Sequence, residues 1–393
     1  MLDLPSNQCC GCSSCANTCP VDAIKMEEDA LGFLYPNVDP SLCILCKACI
    51  NTCPSINPPT KNRVLETNAA QVNNSDLLKS VASGGIASLL SRSIIDLGGV
   101  VYGCCQESVN AFYHIRCSSE KETIKLQGSK YVQSEIGLIF RNVKNDLKNK
   151  LNVLFIGTPC QIAGLKNFLR KDYETLYTID LICHGVPSQS ILSNYLSHEL
   201  RREKLSLNDI FAIFRWKEKS GISFGTKLVN KKGENIKVIN RVNNPYMSAF
   251  FNGYTYRDYC HSCQFADDKR IGDITLGDFW GLGEKIPTKL NVKNGVSLVL
   301  VNSEKGFKLF DKIKSRVASE QHDLIEAKKF NKNLNAPSER PIDKDDFWQD
   351  YSAHGLIYAV KKHIPSYNRE RKIVFRIYLW LATVLINIKK KIH

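Results

Sequence analysis

Apolar and polar positions alternate in blocks along most of the chain. Asn68–Val72 has the pattern of a short strand, and Ser75–Lys79 opens a helix with Ser75 as its cap. Ile86–Leu97 is apolar at helical spacing, and Gly98-Gly99 ends it. Val100–Cys104 and Ala111–Arg116 read as strands, and Leu138–Lys148 reads as a Lys-rich helix. Val153–Ile156 and Tyr177–Leu181 are compact, strand-length apolar runs. Strands that alternate with helices predict α/β architecture. From about Phe211 to Ile239 the pattern turns to strands around a Lys-Lys-Gly turn, so the expected class is α+β or mixed α/β. Upstream, Asn57-Pro58-Pro59-Thr60-Lys61-Asn62 is a linker, because paired prolines exclude helix and strand.

Composition narrows the chemistry. Of 393 residues 43% are hydrophobic, which excludes a mainly disordered chain. Sixteen cysteines are too many for an ordinary enzyme core. Met1–Gln8 has neither a basic stretch nor an apolar one, so no export signal is expected. Thiols in a reducing, cytoplasmic setting point to metal ligands rather than disulfides.

Eight of the cysteines form an internal repeat. Cys9, Cys12, Cys15 and Cys19 are spaced C-x2-C-x2-C-x3-C and followed by Pro20. Cys43, Cys46, Cys49 and Cys53 repeat the spacing 34 residues later, followed by Pro54. That is the spacing of a two-cluster ferredoxin, in which the fourth cysteine of each run ligates the other cubane. One [4Fe-4S] site is then Cys9, Cys12, Cys15 and Cys53, and the other is Cys43, Cys46, Cys49 and Cys19. Zinc fits less well, because its sites close with two C-x2-C pairs. Cys10 is a bystander packed beside a cluster. Cys104, Cys105 and Cys117 lack metal spacing and read as core.

Four further cysteines stand in distinctive settings. Cys160 and Cys183 each follow a buried strand, at the strand ends where open α/β sheets place their sites. Cys260 and Cys263 form a C-x2-C in a polar loop. Together they offer four soft ligands for a third [4Fe-4S] cluster. A redox-active pair at Cys260 and Cys263, structural zinc, or buried free thiols remain open at this level. His184 and His261 adjoin these cysteines and read as supporting groups rather than ligands. No G-x-G-x-x-G follows a strand, and no P-loop is present, which argues against nicotinamide and nucleoside triphosphate chemistry.

Several short motifs then occur in one order. They are Ser83-Gly84-Gly85, Gly128–Ser134, Gly157–Leu165, Asp180–Ser188, Phe214–Lys217, Cys260–Phe265, Asp273–Trp280 and Gly295–Ser297. In these the chain resembles the beta subunit of coenzyme F420-reducing hydrogenase and F420-dependent formate dehydrogenase, F420 being a deazaflavin coenzyme. It also resembles the related hydroxymethyl chlorophyll a reductase. The resemblance covers roughly residues 1–310. It implies FAD beside a [4Fe-4S] cluster held by Cys160, Cys183, Cys260 and Cys263. It gives the clusters a purpose too, since a flavin gathers single electrons into a two-electron delivery. Ser83, Gly84 and Gly85, at a helix start, and Lys130 are the candidate flavin contacts. Asp273 and Asp278 either orient the cofactor or cap turns.

Charge adds one feature. Lys and Arg number 53 against 39 Asp and Glu, yet residues 1–60 hold two basic and six acidic side chains. Residues 361–393 hold nine basic and one acidic. Ile377–Ile386 is a ten-residue run, too short to span a bilayer, with basic residues on both sides. It reads equally as a peripheral membrane contact and as a helix packed on the protein. No nucleic-acid motif stands out. The expected organisation is a two-cluster domain at 1–57, a linker at 58–63, a flavin and iron–sulfur domain at 64–310 and a helical region with a basic tail at 311–393. The expected function is an oxidoreductase passing electrons between a ferredoxin-type partner and an organic small molecule. A non-catalytic electron-transfer subunit is the alternative.

Overall fold

The computed structural model describes residues 2–201, 205–369, 372–373 and 377. Two strands, β1 (Ile24–Glu28) and β2 (Leu34–Val38), form an antiparallel hairpin between the two cysteine runs. The large mixed sheet is built from β3 (Glu66–Val72), β4 (Val100–Ser108), β5 (Ala111–Cys117), β6 (Val153–Ile156) and β7 (Leu176–Leu181). A separate antiparallel sheet follows, of β8 (Ile210–Glu218), β9 (Gly221–Asn230) and β10 (Asn235–Asn240), with Lys231-Lys232-Gly233 turning between its last two strands. The chain then returns to the large sheet as β11 (Ile274–Asp278), β12 (Ser297–Val301) and β13 (Val317–Gln321). The large sheet runs β13-β3-β12-β11-β7-β6-β4-β5. Its centre, β4, β6, β7 and β11, is parallel, and both flanks are antiparallel.

Strand alternation sends neighbouring side chains to opposite cores. Leu154 of β6 packs with Leu89, Leu90 and Ile94 of the helix Ile86–Asp96. Val153 and Phe155 face the other way, toward the helices Ile139–Lys148 and Pro159–Leu169. Cys10 and Cys12 belong to that second core, so the N-terminal module is packed into the sheet's outer layer rather than tethered beside it. Polar contacts fix the seam. Ser14 donates to Gly164 O at 2.9 Å, and Asn17 to Gly137 O at 2.8 Å. Arg141 donates to the carbonyls of Ala16, Asn17 and Cys19, where a short helix ends and favours a cation.

The expected elements recur with shifts that have local causes. The helix over Ser75–Ser80 is capped by Asn74, not Ser75, because the Asn74 Oδ1 accepts from the amides of Asp76 and Leu77. β4 runs on to Ser108 because β5 pairs along it through a bulge near Gln106. β13 lies beyond residue 310 and pairs with β3, so the large sheet draws on a region expected to be helical. Helices Leu324–Phe330, Lys344–His354 and Leu356–His363 follow it. Among the described residues no helix is long and apolar enough to cross a membrane. The run Ile377–Ile386 lies outside the described residues apart from Ile377.

A buried ion pair positions the segment between the last two cysteines and β11. Asp180, at the end of β7, accepts from Arg270 Nη2 at 2.9 Å and from the amides of Ile271 and Gly272 at 3.1 and 2.8 Å. Both charged side chains are sealed from water. Asp180→Ala leaves the guanidinium unpaired and is expected to cost roughly 3–5 kcal/mol, read as a fall in the urea midpoint of the intact chain.

Candidate functional site

The two N-terminal cysteine runs share one backbone design. Gly11 and Leu45, 34 residues apart, are both left-handed at φ 69° and 56°. Ser13 and Lys47 repeat this at φ 58° and 59°. Successive left-handed residues curl each run so that its first three thiols face a common centre. Short helices, Ser14–Thr18 and Ala48–Thr52, then carry Cys19 and Cys53 away to the opposite centre. A cavity of about 180 Å³ is lined by Cys43, Cys46, Cys49 and Cys19. A second, tighter one is lined by Cys9, Cys12, Cys15 and Cys53. The crossed sets expected from spacing are therefore the sets that the fold brings together. Burial, with Cys9 and Cys53 alongside, pushes the Cys15 thiol up to about 12.

Three loops meet at the carboxyl ends of β6 and β7. After β6, Thr158 and Gln161 form a capping box and Pro159 starts the helix, which places Cys160 in its first turn. After β7 the chain runs through Cys183 to Ser188, which caps the helix Gln189–Glu199. The third loop is tied to the second, since Arg257 N–H donates to Val186 O at 3.0 Å and Cys260 N–H to Arg257 O at 2.9 Å. Burial pushes the thiols of Cys183, Cys260 and Cys263 up to about 12, and their neighbours within the set add to the rise. Every pair among Cys160, Cys183, Cys260 and Cys263 interacts electrostatically in this way. Among the described residues, no three His, Cys, Asp or Glu side chains gather closely enough to hold a single ion.

Cys10 occupies the seam between the two metal-type sites. Its buried thiol packs with Cys12 on one side and Cys160 on the other, and both act on its ionisation. His261 Nδ1 contacts Ser338 O at 3.0 Å, and burial with Lys344 nearby drives its pKa down to about 4. His184 is exposed, and loss of water around its ring lowers its pKa as well. Both imidazoles flank the thiols.

Beyond Cys183 lies a cationic cluster. Arg215 and Lys217, two apart on β8, share a face. Arg215 pairs bidentately with Asp278 at 2.6 and 3.0 Å, yet its buried Nε has no partner among the described residues. Lys217 donates to the carbonyls of Leu78 and Ser83, the latter at 2.8 Å. Burial, then Arg215, lowers its pKa to about 8. The buried Ser83 hydroxyl likewise lacks a partner among the described residues. Asp278 in turn acts on His184, beside Cys183. Phe224 stacks on the Arg215 guanidinium at 4.9 Å and abuts the half-exposed Trp280.

The expected flavin contacts fall differently. Ser83 lies beside Lys217, which donates to its carbonyl. Gly84 answers to packing, since a Cβ there would lie 2.3 Å from Ala70 O. Gly85 is left-handed at φ 85° and opens the helix Ile86–Asp96. Lys130 is half-buried, and its ammonium donates to the carbonyls of Lys125, Leu126 and Gln127 at 3.5, 2.8 and 2.7 Å. Its neighbour Tyr131 is the residue that reaches Arg215. Asp273 is spent on Thr178 and Ser303, locking β7 to the start of β11. Sequence reading missed Arg215 and Lys217 as site residues. Their signal was a pair of basic residues at strand spacing in a largely apolar run.

Residues 8–56 match the family described as a 4Fe-4S dicluster domain. Residues 151–327 match the family described as the C terminus of the coenzyme F420 hydrogenase/dehydrogenase beta subunit. No curated protein matches the chain. A solved structure similar to it is the F420-reducing [NiFe] hydrogenase complex from Methanosarcina barkeri, studied by xenon derivatization. That likeness has 14% identity and a TM-score of 0.47, and it covers 75% of this chain and 95% of that one. The two matches together support an electron-transfer oxidoreductase, in which a 4Fe-4S dicluster domain precedes a module similar to the C terminus of the coenzyme F420 hydrogenase/dehydrogenase beta subunit.

Proposed function

We propose that the chain is an iron–sulfur flavoprotein that passes electrons between a ferredoxin-type protein partner and an organic two-electron acceptor. Its route is the Cys43, Cys46, Cys49, Cys19 set, then Cys9, Cys12, Cys15, Cys53, then a third cubane on Cys160, Cys183, Cys260, Cys263. The observation that carries the reading is the convergence of those last four thiols at two strand ends, directly behind Cys10 and Cys12. Buried thiols this reluctant to ionise need a strong positive charge to hold them as thiolates, and iron supplies it.

The cationic cluster beyond Cys183 suits FAD. A buried cation, Arg215, and a half-buried one, Lys217, face one carboxylate there, so an anionic group is favoured. Arg215 Nε and Ser83 Oγ are donors awaiting a partner. When bound, the flavin exchanges single electrons on one side for an electron pair and proton on the other. Ser83, Arg215 and Lys217 would bind and orient it, and Phe224 and Trp280 would wall one side. Lys130 would support the turn that carries Tyr131 to Arg215. Coenzyme F420 is the family's acceptor and the first one to test.

Anaerobically purified protein is expected to hold about twelve iron and twelve sulfide per chain, and Cys183→Ala about eight. Stoichiometric zinc, or eight iron in the unaltered chain, would remove the third cluster. Lys217→Ala is expected to lose FAD on desalting at unchanged iron content, and Lys130→Ala to lose less. Equal retention by both variants and the parent would move the flavin elsewhere.

The cationic cluster also predicts a pH dependence. Anion binding needs Lys217 charged, and its pKa lies at about 8, with Arg215 lowering it and Asp278 opposing. FAD affinity, measured by fluorescence quenching, should be full below that pH and weaken as pH rises through it. Lys217→Arg should flatten the profile, since arginine stays charged.

A further inference from the structure

Three cations are buried around the Cys160–Cys263 thiols. Arg270 is paired with Asp180. Lys344 is paired with Asp258 at 2.8 Å. Arg257 is 0% exposed and, among the described residues, pairs with no carboxylate. Its Nε donates to Gln133 Oε1 at 3.1 Å, its Nη1 to Cys9 O at 3.2 Å and its Nη2 to Leu34 O at 2.8 Å. The rings of Phe33 and Tyr35 stack on it at 5.1 and 4.4 Å. Each of its three nitrogens has an acceptor, yet its charge is not neutralised. A full charge sealed from water without a counterion is costly.

Its location names the missing counterion. Arg257 stands three residues before Cys260, on the third loop, but its guanidinium lies against the Cys9 backbone of the N-terminal module. Its positive field acts on Cys9, Cys160 and Cys260, thiols of both sets.

The internal repeat supplies an independent sign that this placement matters. Gly11 and Leu45 have the same left-handed backbone, so that conformation alone does not demand glycine. Leu45 is 64% exposed. At Gly11 a Cβ would lie 2.7 Å from Arg257 Nη2 and 2.8 Å from Gln133 Nε2. The glycine clears the space that the guanidinium occupies. At the outer set the neighbouring cation is the exposed Lys47, which water screens.

We infer that Arg257 is a positioning residue that supplies one countercharge to two adjacent cubanes, the inner ferredoxin-type cluster and the cluster at the strand ends. The inference rests on the three-cluster reading above. A cubane on four thiolates is net negative, and each electron it accepts adds negative charge. A fixed buried cation stabilises the reduced form, so Arg257 raises both potentials together. It keeps the two centres close enough in potential for an electron to leave one and enter the other.

The test is a potentiometric titration followed by electron paramagnetic resonance on the full chain, with iron counted in every sample. In Arg257→Gln with twelve iron, reduction of the two inner clusters should become at least tenfold less favourable. That is about 59 mV to the negative for one electron. The outer cluster should stay put. Arg257→Lys should stay near the parent potentials, because the charge is kept. If Arg257→Gln does not load iron, Gly11→Ala decides the matter, since it displaces the guanidinium without removing it and should move the same two potentials the same way. Unchanged potentials in a twelve-iron Arg257→Gln or Gly11→Ala protein, or an equal shift of all three clusters, would overturn the role of Arg257. Unaltered protein with only eight iron would overturn the three-cluster reading instead.

Discussion

The structure depends on one seam, where the loop Cys9–Cys12 lies against the carboxyl ends of β6 and β7. Cys10 touches Cys12 on one side and Cys160 on the other, and Arg257 reaches across to the Cys9 carbonyl. Cys9, Cys10, Cys12 and Arg257 are all buried along this seam. The hairpin β1–β2, the Ser14–Gly164 contact and the Arg141 cap hold the N-terminal module at this face. A ferredoxin-type module on a flexible linker would need to find its acceptor by diffusion. Here the packing that stabilises the fold also fixes the distance between the thiol sets.

The sheet does the rest of the positioning. Parallel strands end together, so loops after β6 and β7 present Cys160 and Cys183 side by side. Asp180 and Arg270 then hold the segment that follows Cys260 and Cys263 down on β7. β8 brings Arg215 and Lys217 to the same edge, where Asp278 at the end of β11 meets them. Thiols, imidazoles and the cationic cluster thus follow one another along a single edge, from the N-terminal module to Ser83.

Much of this was legible in the sequence. Cysteine spacing is dictated by cubane geometry, so the crossed sets could be written down from residues 9–53 alone. β6 matched its expected bounds because four consecutive apolar residues between turn signals leave a buried strand little room to slip. Other features depend on contacts far apart in the chain. Arg257 looked like any arginine before a C-x2-C, because what marks it is a missing carboxylate and a glycine some 250 positions away. Lys130 looked like a phosphate ligand, because nothing local showed that its ammonium would be taken up by the carbonyls of Lys125–Gln127. The edge strand β13 was missed because Val317–Gln321 is half polar and is made a strand by pairing with β3.

The central claim is that electrons reach the flavin only through the thiol set at the strand ends. The most direct test is anaerobic stopped-flow reduction of the FAD-loaded chain by a reduced ferredoxin, comparing the parent with Cys160→Ser, and following cluster and flavin absorbance separately. The account predicts that the parent bleaches its clusters first and its flavin after them. In the variant the N-terminal clusters should still bleach while the flavin stays oxidised. Flavin reduction at the parental rate in Cys160→Ser, with its third cluster absent by iron count, would contradict it.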